Sequence, residues 1–256
     1  MLKKLIIVKI FLFITTLLIG LSGTYTIGGN SPNFSTINEA VDTLETDGIT
    51  DDVTFLIRSG TYQEQVEINY IEGSSPTQKI IFKADPANSG DVYWKYHPSG
   101  STTNYVVKLK NTSYLTFQNI HFEAINYAYR RVFVIGANVH NIQIIDNSFY
   151  DQDSNSSTKF IYSNAGGLNS VDIVNNEFTN GGYAIYLSPS SSLDEIYGLG
   201  ISNNTFTDNY TSISLSKINN LNIIDNQIEH AYKAVEIENL EGEIIISRNL
   251  LSNIKQ

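Results

Sequence analysis

The phrase Ile144-Ile145-Asp146-Asn147-Ser148-Phe149 recurs four times toward the C-terminus, at 173–178, 201–206, 223–228 and 246–251. Its fourth residue is Asn in every copy, and these Asn residues lie 29, 28, 22 and 23 positions apart. A period in this range is one turn of a solenoid. So short a unit cannot bury its own apolar residues and must stack on its neighbours to do so.

Each phrase ends a β-branched run and leads to a Phe or aliphatic residue two places after the Asn, which reads as strand, corner and second strand. Asn suits the corner because it tolerates left-handed backbone angles and its amide carries donors and an acceptor. Asn147, Asn176, Asn204, Asn226 and Asn249 are therefore expected to form an internal ladder, each amide bonding its neighbour's backbone. A fully bonded ladder tolerates burial, whereas one isolated buried amide does not. Further apolar segments at 132–135, 160–162, 184–187, 212–215 and 234–237 complete the turns. Two or three short strands per turn without intervening helices specify an all-β fold, a parallel β-helix, with ladder coils over about 114–256. The segment 115–122 has the same profile with Ile120 at the Asn position, so the ladder is expected to start one turn later. Phe122, Phe149, Phe178 and Phe206 then make an inner aromatic stack continued by Ile228 and Leu251. Each such ring buries about 150–250 Å².

Lys3 and Lys4 precede an apolar stretch over about 5–19, and Gly20-Leu21-Ser22 offers small residues where a signal peptidase reads them. Residues 1–22 are read as a signal peptide and 23–256 as one domain that is secreted, extracellular or at the cell surface. Lys9 and the short length of the stretch argue against a membrane span. Ile37, Ala40, Val41 and Leu44 follow helical spacing, and Thr36 with Glu39 makes a capping box. A helix over about 36–46, just before a first strand at 53–57, is a lid for the open apolar end of the solenoid.

The chain has no Cys, hence no disulfide framework. Its formal charge is −10, and because Lys3, Lys4 and Lys9 belong to the leader the mature chain carries −13. That sign disfavours nucleic acid, and it repels uronate polymers unless Ca²⁺ or a local basic patch intervenes. With 16 Tyr, 12 Phe and one Trp, the aromatics outnumber what the stack needs. The surplus either lines coil edges with snorkelling hydroxyls or forms a flank on which sugars stack.

The segments Tyr25-Thr26-Ile27-Gly28-Gly29, Phe34-Ser35-Thr36-Ile37-Asn38-Glu39-Ala40-Val41 and Gly60-Thr61-Tyr62-Gln63-Glu64-Gln65-Val66-Glu67-Ile68 resemble the opening of secreted right-handed parallel β-helix proteins of the pectin lyase-like superfamily. They are similar to pectin methylesterases and to large surface proteins of Bacteroidetes-type bacteria. The resemblance implies a polysaccharide-facing scaffold outside the cell. The esterase pattern of a Gln-Asp pair, a second Asp and an Arg is not matched, since Asp151-Gln152-Asp153 has another order. The paired Asp with Gly-His-Gly of polygalacturonases is absent too, as are the Arg-Pro and Asp-His motifs of pectate lyases.

Three constellations carry candidate chemistry. Tyr127, Tyr129, Arg130 and Arg131 place two guanidiniums beside alternating rings, a pattern that clamps a carboxylate and stacks on sugar, or that is a solvated turn. Lys159 falls about one coil later and is the candidate base for β-elimination, with Arg130 and Arg131 as companion catalytic candidates. Asp151, Asp153 and Asn155 space three oxygen ligands at alternate positions, as the start of a Ca²⁺ loop does, although Ser156 and Tyr162 replace the expected Gly and Glu. His97, His121, His140 and His230 show no zinc spacing. Two functional classes follow: a β-helix that binds an extracellular polysaccharide, with or without processing it, and a non-catalytic structural or adhesive repeat. The coil at 243–251 is followed by no recognisable cap, so the natural chain is expected to continue or to self-associate through this end.

Overall fold

The computed structural model describes residues 20–97, 100–125, 130–151, 157–191 and 194–255. Every strand-to-strand pairing among them is parallel, and the strands line three faces of a coil. Face one stacks Leu21–Ile27, Ile49–Ile57, Ile80–Ala84, Ser113–Gln118, His140–Ile145, Leu168–Val174 and Ile196–Ser202. Face two stacks Val66–Ile68, Val107–Leu109, Arg131–Ile135, Lys159–Ser163 and Tyr183–Leu187. In the last two coils the long strands Thr211–Ile224 and Lys233–Ser247 run through both faces without a loop. Face three is a separate sheet of short strands, from Gly60–Gln63 through Ser148–Tyr150 to Leu250–Ser252. The chain is a right-handed parallel β-helix.

The repeated Asn sits at the corner between faces one and three. Asn147, Asn176, Asn204 and Asn226 are buried. The Asn176 side-chain oxygen accepts from the Asn147 backbone N–H (2.9 Å) and Nδ2 (3.1 Å), while its own Nδ2 donates to the Ile144 carbonyl one coil away (2.8 Å). Asn204, Asn226 and Asn249 repeat this geometry, and the ladder ends as expected where Asn147 accepts from the Ile120 N–H (3.0 Å). The left-handed residue, however, is the one before the ladder position: Asn119, ahead of Ile120, and Asp146, Asn175, Asn203, Asp225 and Arg248, each ahead of a ladder Asn, all have φ between 54° and 57°. Asn and Asp visit this region readily, but Arg does not. Arg248 is held there by a two-pronged pair to Asp225 (2.7 and 2.6 Å).

A second corner, between faces three and two, repeats the device on a smaller scale. Asn180, Asp208, His230 and Asn253 are left-handed, and the buried Asn209 accepts from the Gly181 N–H (3.1 Å) and donates to the Phe178 carbonyl (3.0 Å). Only Gly fits at 181, since a Cβ there would stand 2.5 Å from the Phe160 ring.

The expected aromatic stack is present: Phe122, Phe149, Phe178 and Phe206 follow one another at 5.4, 4.7 and 5.0 Å, with Ile228 and Leu251 next in register. Trp94 extends it downward, 5.6 Å from Phe122. A second stack on face one, Phe55, Phe82 and Phe117 at 4.8 and 5.6 Å, passes into Ile144, Ile173, Ile201 and Ile223. These columns of like residues follow from parallel, in-register coils, which set each side chain above its equivalent.

The helix Ile37–Asp47 buries Ile37, Ala40, Val41 and Leu44, with Thr36 as N-cap accepting from the Glu39 N–H (3.0 Å). The Glu64 carboxylate of the coil accepts from the Ile37 and Asn38 N–H groups (3.1 and 2.8 Å), placing negative charge on the helix N-terminus and pinning the lid. The helix does not precede the first strand: Leu21–Ile27 comes before it and pairs with Ile49–Ile57. At the other end Ile246, Leu250 and Leu251 are 52%, 61% and 49% exposed. Residues 1–19, most of the expected leader, lie outside the described residues. No helix among those described is long and apolar enough to cross a membrane.

Candidate functional site on face two

On face two equivalent side chains stack coil upon coil, partly exposed at Arg131, Lys159, Tyr183 and Lys233 and buried at Thr211. Arg131, Lys159, Tyr183, Thr211 and Lys233 are consecutive in one register, and Val134, Tyr162, Tyr186, Ser214 and Glu236 in a neighbouring one. The two registers make a cation–aromatic cluster. The Arg131 guanidinium lies 3.8 Å from the Tyr162 ring centre, and Tyr162 is stacked on Tyr186 at 5.7 Å. The Lys159 ammonium sits 4.9 Å from the Tyr183 ring and 5.4 Å from Tyr186, and the two rings meet edge to face. Such contacts hold a cation while leaving its hydrogen-bond donors uncommitted.

Lys159 is half-buried, and its pKa is lowered first by desolvation and then by the charge of Arg131. Because the folded-state pKa lies below the unfolded one, Lys159 weakens the fold when charged, and stability rises with pH between the two values. The expected result is that Lys159 titrates below the other lysines and returns toward the ordinary range in Arg131→Gln. Nζ-detected NMR titration reads this directly; a Lys159 titrating with the bulk lysines in both proteins would contradict it.

From this cluster a groove of about 250 Å³ runs toward the C-terminal coils, lined by Tyr183, Tyr186, Ser188, Ser214, Ser216, Glu236 and Glu238. The Tyr183 hydroxyl is held above its usual pKa, mainly by burial and next by Glu236. Glu236 pairs with Lys233 at 2.8 Å. A larger cleft of about 480 Å³ follows the ladder corner, with Asp85, Asp91, His121, Asp146 and Glu177 among its lining residues. Asp85 there is already bonded to the Ala87 N–H and Asn88 amide, and Asp146 to the Gln118 amide.

Of the residues read from sequence as a site, Arg131 and Lys159 are brought together, one coil apart. Arg130 is corrected: it faces the interior, 4% exposed, in a salt bridge with Asp151, so it does not present itself to a ligand. Asp151 is corrected with it. Its carboxylate, 3% exposed, is held by Arg130 and the Thr158 hydroxyl, which leaves it unsuited to a Ca²⁺ loop. Tyr127, Tyr129, Asp153 and Asn155 lie outside the described residues. Tyr162, Tyr183 and Tyr186 were missed as site residues, although Tyr162 and Tyr186 lie about one coil apart. The apolar runs around them hid which face they occupy.

Parallel strands on three faces, an internal Asn ladder and a polar groove on one flank define a single-stranded right-handed β-helix protein. More particularly, the chain belongs to the family described as periplasmic copper-binding protein (NosD), whose profile matches residues 85–255. No curated protein matches it. Among solved structures it is similar to the pectin methylesterase from Aspergillus niger at 13% identity, covering 87% of this chain and 86% of that one, with a TM-score of 0.46. A rhamnogalacturonan lyase is similar at 12% identity, over 90% of this chain and 66% of that chain, with a TM-score of 0.45. An alginate lyase of the PL6 family is similar at 12% identity, over 89% and 39% of the two chains, with a TM-score of 0.43.

The copper in the family's description finds no fitting donor set here. The chain has no Cys, and its one Met is Met1. Among the described residues no group of three His, Cys, Asp or Glu side chains is placed to hold a metal ion. His121 stacks on Tyr93 and faces Asp91 at 3.5 Å, while His230 bonds Asn253. Soft sulfur ligands or several converging imidazoles are what copper selects, and the described residues bring neither together.

Proposed function

We propose that this protein works outside the cytoplasm as a glycan-binding β-helix, and that face two takes an acidic polysaccharide with a uronate carboxylate between Arg131 and Lys159. The observation that carries this reading is a local inversion of charge. In a chain of net −10, Arg131 and Lys159 stand one coil apart on tyrosine rings, and neither is in a salt bridge among the described residues. Two such cations attract an anion, and the adjoining Tyr183 and Tyr186 edges with Ser188, Ser214 and Ser216 suit sugar hydroxyls.

The test is calorimetric titration with acidic and neutral oligosaccharides. Arg131→Gln and Lys159→Gln are each expected to weaken an oligogalacturonate about tenfold, the effect of one charge-assisted contact worth roughly 1.4 kcal/mol. Retained affinity in the double variant, or no binding of any acidic glycan by the parent, overturns the reading.

The lowered pKa of Lys159 supports a second, catalytic reading. A neutral Lys159 amine would take the proton α to the uronate carboxylate. The electron pair left behind forms the C4–C5 double bond, and the glycosidic oxygen leaves with its bonding pair and gains a proton from water. Unsaturated products, followed by ultraviolet absorbance, separate this from binding alone; their absence with a glycan that binds rules it out.

A further inference from the structure

Resting on that reading of face two, we infer that the groove selects a chain in which a uronate is followed by neutral sugar, and rejects runs of consecutive uronates. The argument is the change of charge along one register. Tyr162, Tyr186, Ser214 and Glu236 are successive neighbours, so Glu236 stands three coils, about 14 Å, beyond the ring on which Arg131 rests. Glu238 follows beside Ser216. Between these ends the groove lining among the described residues is uncharged: Tyr183, Tyr186, Ser188, Ser214 and Ser216 are hydrogen-bonding groups and Leu215 is apolar.

A pyranose unit is about as long as one coil is high. A glycan anchored by its carboxylate at Arg131 and Lys159 therefore lays its next units over the tyrosine and serines and reaches Glu236 and Glu238. Glu236 is partly balanced by Lys233, but Glu238 forms no salt bridge among the described residues. A further carboxylate arriving there meets like charge at a solvated but concave surface. Each such pair lowers affinity by roughly threefold at low ionic strength. A neutral sugar instead finds carboxylate acceptors for its hydroxyls.

The experiment compares two defined probes on the full chain: hexagalacturonate, in which every unit is charged, and a hyaluronan hexasaccharide, in which uronate alternates with a neutral N-acetylhexosamine. Glu236→Gln/Glu238→Gln is expected to tighten hexagalacturonate about 3- to 10-fold and to leave the hyaluronan hexasaccharide within about twofold or weaken it. Glu238→Gln alone, which releases no lysine, moves hexagalacturonate the same way by a smaller factor. Unchanged hexagalacturonate affinity, or equal tightening of both probes, overturns the inference while leaving the anion site intact. That site is tested separately by Arg131→Gln, which weakens both probes. Failure of the parent to bind either probe overturns both. Unchanged melting midpoints confirm that these surface substitutions leave the coil folded.

Discussion

Replacing Asn176 by Ala is expected to destabilise the protein by about 3–5 kcal/mol, because several buried groups lose their partners together. The Asn147 backbone N–H and side-chain amide lose their acceptor, and the Ile144 carbonyl and the Asn204 oxygen each lose a donor. Water cannot replace them at a position 1% exposed. Asn180 looks from sequence like a surface control, but its φ of 64° gives it a backbone preference that Ala lacks, so Asn180→Ala carries a penalty of its own. Asn169 is the better comparison: it is exposed, in ordinary strand geometry, and its side chain accepts from the neighbouring Ser170 hydroxyl. Asn169→Ala should change stability by less than about 0.5 kcal/mol. Denaturant unfolding of both variants checks this, and comparable midpoints would mean that the ladder contributes nothing beyond ordinary turns.

The second large effect is expected at the buried ion pair. Asp151→Ala removes the carboxylate facing Arg130 and should cost about 3–5 kcal/mol, since a guanidinium buried in the interior loses a charged partner there. Removing both charges is expected to be milder: Arg130→Met/Asp151→Leu should recover most of that loss, because the desolvation of two ions disappears with them. If the double variant is as unstable as Asp151→Ala, the pair's geometry rather than its charge balance is what the coil needs. This arrangement explains why Arg130 and Arg131, adjacent in sequence, have opposite fates. Arg131 opens the strand Arg131–Ile135 and meets the Tyr162 ring on its outer side, whereas Arg130, just before the strand, turns inward to Asp151.

Much of the site was legible in the spacing alone. Arg131 and Lys159 lie 28 residues apart, one period of the repeat, and their adjacency follows from that period as directly as the Asn ladder does. The partner of Arg130 was not legible, because Asp151 lies in a connection between strands and no periodic signal fixes where a connection turns its side chains. The tyrosine platform was hidden for a related reason. At the bend on face two, consecutive residues such as Phe160 and Ile161 are both buried, so the simple inward–outward alternation that would have assigned Tyr162 and Tyr186 fails there. Another bend escaped entirely: Tyr114, Asn141, Ser170, Gly198, Asn220 and Gly242 form a left-handed column within the face-one strands, where the strand pairing skips one residue per coil. Their mixed residue types carry no repeat.

The sequence by itself determined the coil, the ladder, the aromatic stack and the capping helix. Each of these rests on like residues recurring at a fixed interval or on a helical spacing, and burial of apolar area makes such patterns unambiguous. The tertiary structure alone decided which of two neighbouring arginines is buried, that Asp151 serves the interior, and which tyrosines meet the two outward cations. Those outcomes depend on the angle at each corner and on contacts across coils between single, non-repeating side chains, and the energy of one buried pair or one ring contact leaves no period to read.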